Sequence, residues 1–145
     1  KMAGSPEVTD DTACRELKDV KKGQWYTDAI CWAYNEGIAS GNQNTMTFGV
    51  GNAVTREQLA TFLYSYAKKN SLDVTQKGDL SKLQNGDKVS DYAKEAVTWM
   101  VGAGLLSGVQ KEVNGQTVYD LAPAQSGTRA QMAAILTRFC EAYDL

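Results

Sequence analysis

The sequence predicts an all-α protein built from tandem helix-loop-helix repeats that share one core. Three observations support this fold class. Two blocks of sequence recur in the same order, apolar residues in each block follow helical spacing, and threonine caps and glycines mark the helix ends. Because a helical hairpin of this size cannot bury its apolar stripe alone, neighbouring hairpins are expected to share a core.

The first recurring block predicts a helix that ends at a glycine. The segment that begins at Ala29 matches the segment that begins at Ala96, 67 residues later, and each has a tryptophan at its fourth position. Apolar residues recur on one face of both segments. Gly37 and Gly104 stand where these helices should end, because glycine tolerates the left-handed backbone of a helix C-terminus.

The second block predicts a capped helix. Thr55–Leu63 matches Thr128–Leu136, 73 residues later. Each threonine is a predicted N-cap, and Gln58 and Gln131 complete a capping box. The two offsets differ because the second copy carries an insertion over residues 111–116, which we place in a loop.

These matches give the predicted organisation of the chain. Residues 1–13 are an N-terminal extension or an artificially added segment, since the first residues look unlike a natural N-terminus. The first repeat covers residues 14–70 and the second covers residues 71–145. Between the repeats, Lys68–Val89 is polar and rich in turn residues, so it is expected to hold little regular structure.

Composition excludes several classes of function. The 145 residues carry a net charge of -2 and contain no histidine, which removes Ser-His-Asp and Cys-His nucleophiles and histidine metal sites. Charge is spread evenly, so nucleic-acid binding is not favoured. No apolar run is long enough to span a membrane. Asp91 and Glu95 share a helix face but are expected to be solvated. We therefore predict no enzyme, no cofactor and no metal.

Three cysteines are too scattered for a metal or redox motif. Cys140 aligns with Ala67 of the first copy and is expected to be a small buried hydrophobe. Cys31 either pairs with Cys14 or remains a free thiol, and the sequence does not distinguish these alternatives.

Several spaced motifs recur in both copies. They are Asp19-Val20, Trp25-Tyr26, Gly37-Ile38, Thr47-Phe48 and Thr55–Ala60 in the first copy, and Tyr92, Ala96-Val97, Gly104-Leu105, Leu121-x-Pro123 and Thr128–Ala133 in the second. Together they resemble the surface-layer homology (SLH) family. The resemblance covers roughly Leu17–Tyr143, which is almost the whole chain.

The resemblance implies a non-catalytic module at the bacterial cell surface that binds an anionic, often pyruvylated, secondary cell-wall polysaccharide in grooves between repeats. SLH modules usually come in threes, so a further repeat or a homo-oligomer would complete the set. The second-copy counterpart of Asp19 is either Asp79 or Asp87. The residues that the resemblance assigns to ligand binding are Asp19, Trp25, Arg56, Tyr92 and Arg129.

These assignments make chemical sense, and each has a structural alternative. A guanidinium at a helix N-terminus can bind a carboxylate, and an aromatic face suits a sugar ring. Alternatively, Arg56 and Arg129 are exposed residues paired with nearby acids. Trp25 could instead form a hydrophobic staple, and Asp19 could cap a turn.

A protein-binding module is the alternative function. The same scaffold could present its loops to another protein. The first place to look is the long loop Val109–Asp120, where Asn114-Gly115 is compatible with a β-hairpin turn.

Overall fold

The computed structural model describes Gly4 and residues 6–145, so the predicted extension over residues 1–13 lies partly outside the described residues. The chain divides into two compact units, of which the first ends at Asn52 and the second is Ala53–Leu145. This division falls inside the predicted first repeat, between its two predicted helices. The second of those helices therefore belongs to the same unit as all of the predicted second repeat.

The first unit is held by a disulfide. A short 3-10 helix, Cys14–Glu16, precedes helix α1, Thr27–Asn35. Cys14 and Cys31 are bonded and both are buried, so the cysteine pairing that the sequence left open is resolved. Gly37 follows α1 with a φ of 70°, as predicted for a glycine at a helix end.

Three helices form most of the second unit: α2, Arg56–Lys69; α3, Lys94–Gly102; and α4, Arg129–Tyr143. Both predicted capping boxes are present at the starts of α2 and α4. Helix α2 packs against α3, and the aromatic rings of Trp99 and Phe139 join α3 to α4 at a centroid distance of 6.3 Å. The buried apolar residues of this unit include Ala60, Leu63, Ala67, Val97, Met100, Leu105, Leu121 and Ile135.

The all-α prediction is wrong, because the second unit also contains an antiparallel hairpin. Strand β1, Val109–Val113, pairs with β2, Gln116–Asp120. Asn114 and Gly115 form the two-residue turn, and both have a positive φ, 51° and 74°. An Asn-Gly turn matches the twist of the flanking strands. The turn expected at this position is thus confirmed, and the insertion assigned to a loop forms regular β-structure instead.

The segment before α3 contains three short 3-10 helices, Leu80–Lys82, Gly86–Lys88 and Asp91–Ala93. Gln84 lies between the first two and exchanges backbone hydrogen bonds of 2.9 Å with Tyr119 and Leu121. These bonds fix the end of β2 against the segment. That junction positions Asp120 and Leu121.

Candidate functional site

Arg56 is the first residue of α2, and its side chain is buried, with 4% of its surface exposed. Its Nε donates to the carbonyl of Leu121 at 2.9 Å, and its Nη2 donates to the carbonyl of Ser107 at 2.6 Å. Burial lowers the pKa of Arg56, while the nearby charge of Asp120 acts in the opposite direction. No carboxylate of the described residues forms an ion pair with this guanidinium. The alternative of an exposed, ion-paired Arg56 is therefore wrong.

The Arg56 side chain lines an open cavity of about 180 Å³ within the second unit. The cavity lies between the segment after α3 and one face of α4. None of its lining side chains is acidic. The lining residues are Arg56, Leu106, Ser107, Gly108, Val109, Gln131, Ala134, Ile135 and Arg138.

Arg138 was missed by the sequence reasoning. It lies in α4 and is exposed, yet it lines the same cavity as Arg56. The spacing of Gln131, Ile135 and Arg138 places them on one face of the helix. The sequence therefore shows that these three residues share a helix face. It does not show that this face lines the cavity of Arg56, because that depends on the fold.

Asp120, at the end of β2, was also missed. Its side chain is buried and accepts hydrogen bonds from Lys111 Nζ at 2.5 Å, Asn85 Nδ2 at 2.9 Å and the Ala122 N–H at 2.8 Å. The hydrogen bond from Lys111 and then that from Asn85 are the main causes that lower the pKa of Asp120 to about 2, against desolvation by burial. Asp120 thus supplies a fixed negative charge beside the Leu121 carbonyl that binds Arg56.

Tyr92 lies in the same unit and has 60% of its surface exposed. Its hydroxyl donates to Glu57 Oε1 at 3.3 Å, and Ser90 donates to the same carboxylate through its N–H and its Oγ. Burial raises the pKa of Tyr92, and the negative charge of Glu57 raises it further. Arg129, the first residue of α4, is exposed, and neither it nor Tyr92 lines the cavity.

The other two predicted residues lie in the first unit. Asp19 accepts the backbone N–H groups of Phe48, Gly49 and Val50 at 2.7, 2.7 and 2.8 Å. Desolvation acts to raise the pKa of Asp19, but these hydrogen bonds outweigh it and lower the pKa below its ordinary value. Trp25 has 93% of its surface exposed, so its ring does not form the hydrophobic staple considered above.

Neither proposed counterpart of Asp19 in the second copy has an equivalent set of bonds. Asp79 caps the Leu80–Lys82 turn through the Ser81 N–H, and Asp87 is exposed beside Lys88. In the second unit the positions of donor and acceptor are reversed. The carboxylate belongs to Asp120, the last residue of β2, and the side-chain amide of Asn85, which precedes α3, donates to it.

Three further features were sought in the described residues: a metal site, a membrane-spanning helix and a free thiol. The described part of the chain contains no cluster of three His, Cys, Asp or Glu side chains that could hold a metal ion. Within the same described residues, no helix is both long enough and apolar enough to cross a membrane. Cys140 is a free, partly buried thiol.

Comparison with protein families identifies part of the chain. Residues 16–60 match the family model of the S-layer homology domain. Residues 16–60 therefore belong to an SLH domain. The matched span contains Asp19, Trp25 and Arg56. An SLH domain is a non-catalytic module that binds cell-wall polysaccharide and anchors proteins to the wall, which places this chain at the bacterial cell surface.

Curated relatives of this chain are much longer proteins. It is 32% identical over 128 residues to a surface-layer 125 kDa protein of Lysinibacillus sphaericus, a match that covers 88% of the chain and 10% of the relative. It is 33% identical to exoglucanase XynX of Acetivibrio thermocellus, over 83% of the chain and 10% of that protein. It is 29% identical to an amylopullulanase of Thermoanaerobacterium thermosulfurigenes, over 89% of the chain and 6% of that protein. The chain thus spans a tenth or less of the length of these relatives.

Proposed function

We propose that this chain is a non-catalytic wall anchor that binds an acidic secondary cell-wall polysaccharide, and that Arg56 binds the acidic group. One observation carries the proposal: a buried guanidinium without an ion pair among the described residues lines a cavity that has no acidic side chain. A buried charge of this kind is costly to leave without a counter-ion. The nearby charge of Asp120 compensates it in part without forming an ion pair, and an anionic ligand in the cavity would contact the guanidinium directly.

The donors that remain on Arg56 favour a carboxylate ligand. A guanidinium has five N–H donors, and the hydrogen bonds to the carbonyls of Leu121 and Ser107 use two of them. The backbone at the start of α2 is already occupied, because the N–H groups of Arg56 and Glu57 donate to the carbonyls of Gln125 and Pro123 at 3.0 Å. The side chain, and not the helix backbone, is therefore the group that would bind the pyruvate carboxylate of a pyruvylated sugar.

We further propose that residues 14–70 and 71–145 are two SLH-like repeats. The equivalent capping boxes of α2 and α4 support this assignment, and so does the φ of 70° at both Gly37 and Gly104. Ligand contacts by Asp19, Trp25, Tyr92 and Arg129 remain predictions. Those four residues lie outside the Arg56 cavity.

The test measures binding to purified secondary cell-wall polysaccharide before and after chemical removal of its acidic substituents. We expect the native polysaccharide to bind at least tenfold more tightly, because hydrogen bonds to a charged group would be lost on removal. Equal binding to both forms, or binding to neither, would contradict the proposal. This comparison uses the wild-type chain, so it does not depend on whether a variant folds.

An Arg56→Lys variant tests the residue. Lysine keeps the charge but loses the planar fork, so we expect weaker binding of the native polysaccharide. Circular dichroism would show whether the variant is folded, and only a folded variant with unchanged affinity would exclude Arg56 from the site.

A further inference from the structure

The chain contains two Asn-Gly pairs, Asn85-Gly86 and Asn114-Gly115. An asparagine amide is chemically labile before a glycine, because glycine has no side chain to keep its backbone nitrogen away from the amide carbon. Both asparagines have a left-handed backbone, with φ of 60° and 51°. Sequence and φ therefore do not distinguish the two pairs, but their contacts do.

In Asn85-Gly86, both reacting groups are held by hydrogen bonds. Asn85 Nδ2, the nitrogen that would have to leave, donates to Asp120 at 2.9 Å. The Gly86 N–H, which would have to attack, donates to the carbonyl of Leu83 at 3.1 Å. Gly86 is also buried, and an added Cβ there would collide with the carbonyl oxygen of Leu80. This pair has neither free groups nor room to react.

Asn114-Gly115 lacks such contacts. Both residues are exposed, and an added Cβ on Gly115 would meet no atom within 4 Å. Among the described residues, none forms a hydrogen bond with the side-chain amide of Asn114. The pair is the turn of a two-stranded hairpin, and the turn of so small a sheet opens readily.

We infer that Asn114 is a site of spontaneous deamidation and that the fold protects Asn85 from the same reaction. The backbone nitrogen of Gly115 attacks Asn114 Cγ, so that a new N–Cγ bond closes a five-membered succinimide ring and the Cγ–Nδ2 bond breaks. Ammonia leaves with the proton of the Gly115 N–H. Water then opens the ring at either carbonyl, and nothing is oxidised or reduced. Opening at Cγ gives aspartate, and opening at the main-chain carbonyl gives isoaspartate.

The two products differ in their effect on the hairpin. Aspartate keeps the path of the chain, and Asp-Gly suits the same turn as Asn-Gly. Isoaspartate adds a methylene to the backbone of a two-residue turn, whose length sets the register of the strands. The isoaspartate form should therefore pair β1 with β2 less well. The hydrogen bond from Lys111 to Asp120, which joins the two strands, should weaken with that pairing.

The test incubates the wild-type chain in a mildly alkaline buffer and follows both asparagines in the same sample by peptide mapping and mass spectrometry. The same incubation in urea, with the chain unfolded, is the reference. In the folded chain, we expect Asn114 to convert to acid about tenfold or more faster than Asn85, because Asn85 must first break a hydrogen bond to a charged group. In urea the two rates should become similar.

The aged chain also supplies the isoaspartate form, which can be separated from the aspartate form by chromatography. Asn114→Asp is the matched control, since it carries the same added charge without the added methylene. We expect Asn114→Asp to unfold at the same temperature as wild type and the isoaspartate form to unfold at a lower one. An isoaspartate form as stable as Asn114→Asp would show that the hairpin tolerates the longer turn.

The rates decide the assignment itself. Equal conversion of Asn85 and Asn114 in the folded chain would show that the contacts of Asn85 do not protect it. A preference for Asn114 that is the same in urea as in buffer would show that local sequence, and not the fold, selects the site. Either result would overturn the inference.

Discussion

The side-chain amide of Asn85 donates a hydrogen bond of 2.9 Å to the buried carboxylate of Asp120. The same carboxylate accepts the N–H of Ala122. Leu121 lies between Asp120 and Ala122, and its carbonyl accepts a hydrogen bond from Arg56 Nε. The direction of that carbonyl, and with it the position of the guanidinium, therefore depends on a carboxylate that itself lies outside the cavity lining.

An Asp120→Asn variant should lower the free energy of unfolding by about 1–3 kcal/mol, because the buried charge-assisted bonds to Lys111 and Asn85 are lost. Urea denaturation would measure the change. Asp87→Asn is the control, since Asp87 is exposed and its pair with Lys88 should contribute little. Equal stability of Asp120→Asn and wild type would show that the network is not stabilising.

The low pKa of Asp120 predicts a pH dependence with a definite sign. Its pKa is about 2 in the folded chain and 3.8 in the absence of the fold. The unfolded state therefore takes up the proton first as the pH falls, so the stabilisation is present above about pH 3.8 and is lost towards pH 2. When the free energy of unfolding is measured as a function of pH, it should fall more for the wild type than for Asp120→Asn between about pH 3.8 and pH 2. Parallel curves would contradict the prediction.

Loss of the Cys14–Cys31 disulfide should destabilise the first unit. The cysteines are 17 residues apart, and a chain-entropy estimate for a loop of about this length is about 3 kcal/mol. Denaturation with and without reductant, compared with a Cys14→Ser/Cys31→Ser variant, would measure the effect. Cys140→Ser keeps the disulfide and should show the same response to reductant as wild type. A denaturation midpoint that is insensitive to reductant would contradict the prediction.

Trp25→Ala should separate stability from binding. Because the ring is 93% exposed, the free energy of unfolding should change by less than about 0.5 kcal/mol. If the ring stacks on a sugar, polysaccharide affinity should fall several-fold, and Trp25→Phe should retain part of it. Unchanged affinity of Trp25→Ala would remove this residue from the binding site.

Gly104 offers a clean test of backbone strain. Its φ is 70°, and an added Cβ would meet no atom within 4 Å. Gly104→Ala should therefore cost about 1 kcal/mol from the left-handed backbone alone. Gly104→Asn should cost less, since asparagine tolerates this conformation better. Thermal unfolding of both variants would measure the difference, and an alanine variant as stable as wild type would show that the backbone relaxes.

The features that the sequence predicted well are local ones. The capping boxes at Thr55 and Thr128 and the positive φ at Gly37 and Gly104 depend on a few adjacent residues. The hairpin turn at Asn114 is local in the same way. The Asn114-Gly115 dipeptide indicates a β-hairpin, whereas the all-α fold class follows from the helical repeats alone and leaves the hairpin out.

The features that were missed depend on contacts between distant segments. Arg56 reaches carbonyls at Ser107 and Leu121, 51 and 65 residues away. The burial of Arg56 and the electrostatic effect of Asp120 on it cannot be inferred from neighbouring residues. Arg138 lines the cavity only because α4 packs beside the segment after α3. A helix N-terminal arginine has the same local pattern whether it is exposed, as at position 129, or buried.

The placement of α2 determines where a chimera of two related chains should be joined. By sequence α2 closes the first repeat, but it packs within the second unit, where Arg56 meets its carbonyl partners. A chimera joined at position 70, the predicted boundary between the repeats, would combine α2 with a foreign second repeat and leave Arg56 without its own carbonyl partners. A junction near Asn52 would exchange whole compact units and keep Arg56 with the carbonyls of Ser107 and Leu121.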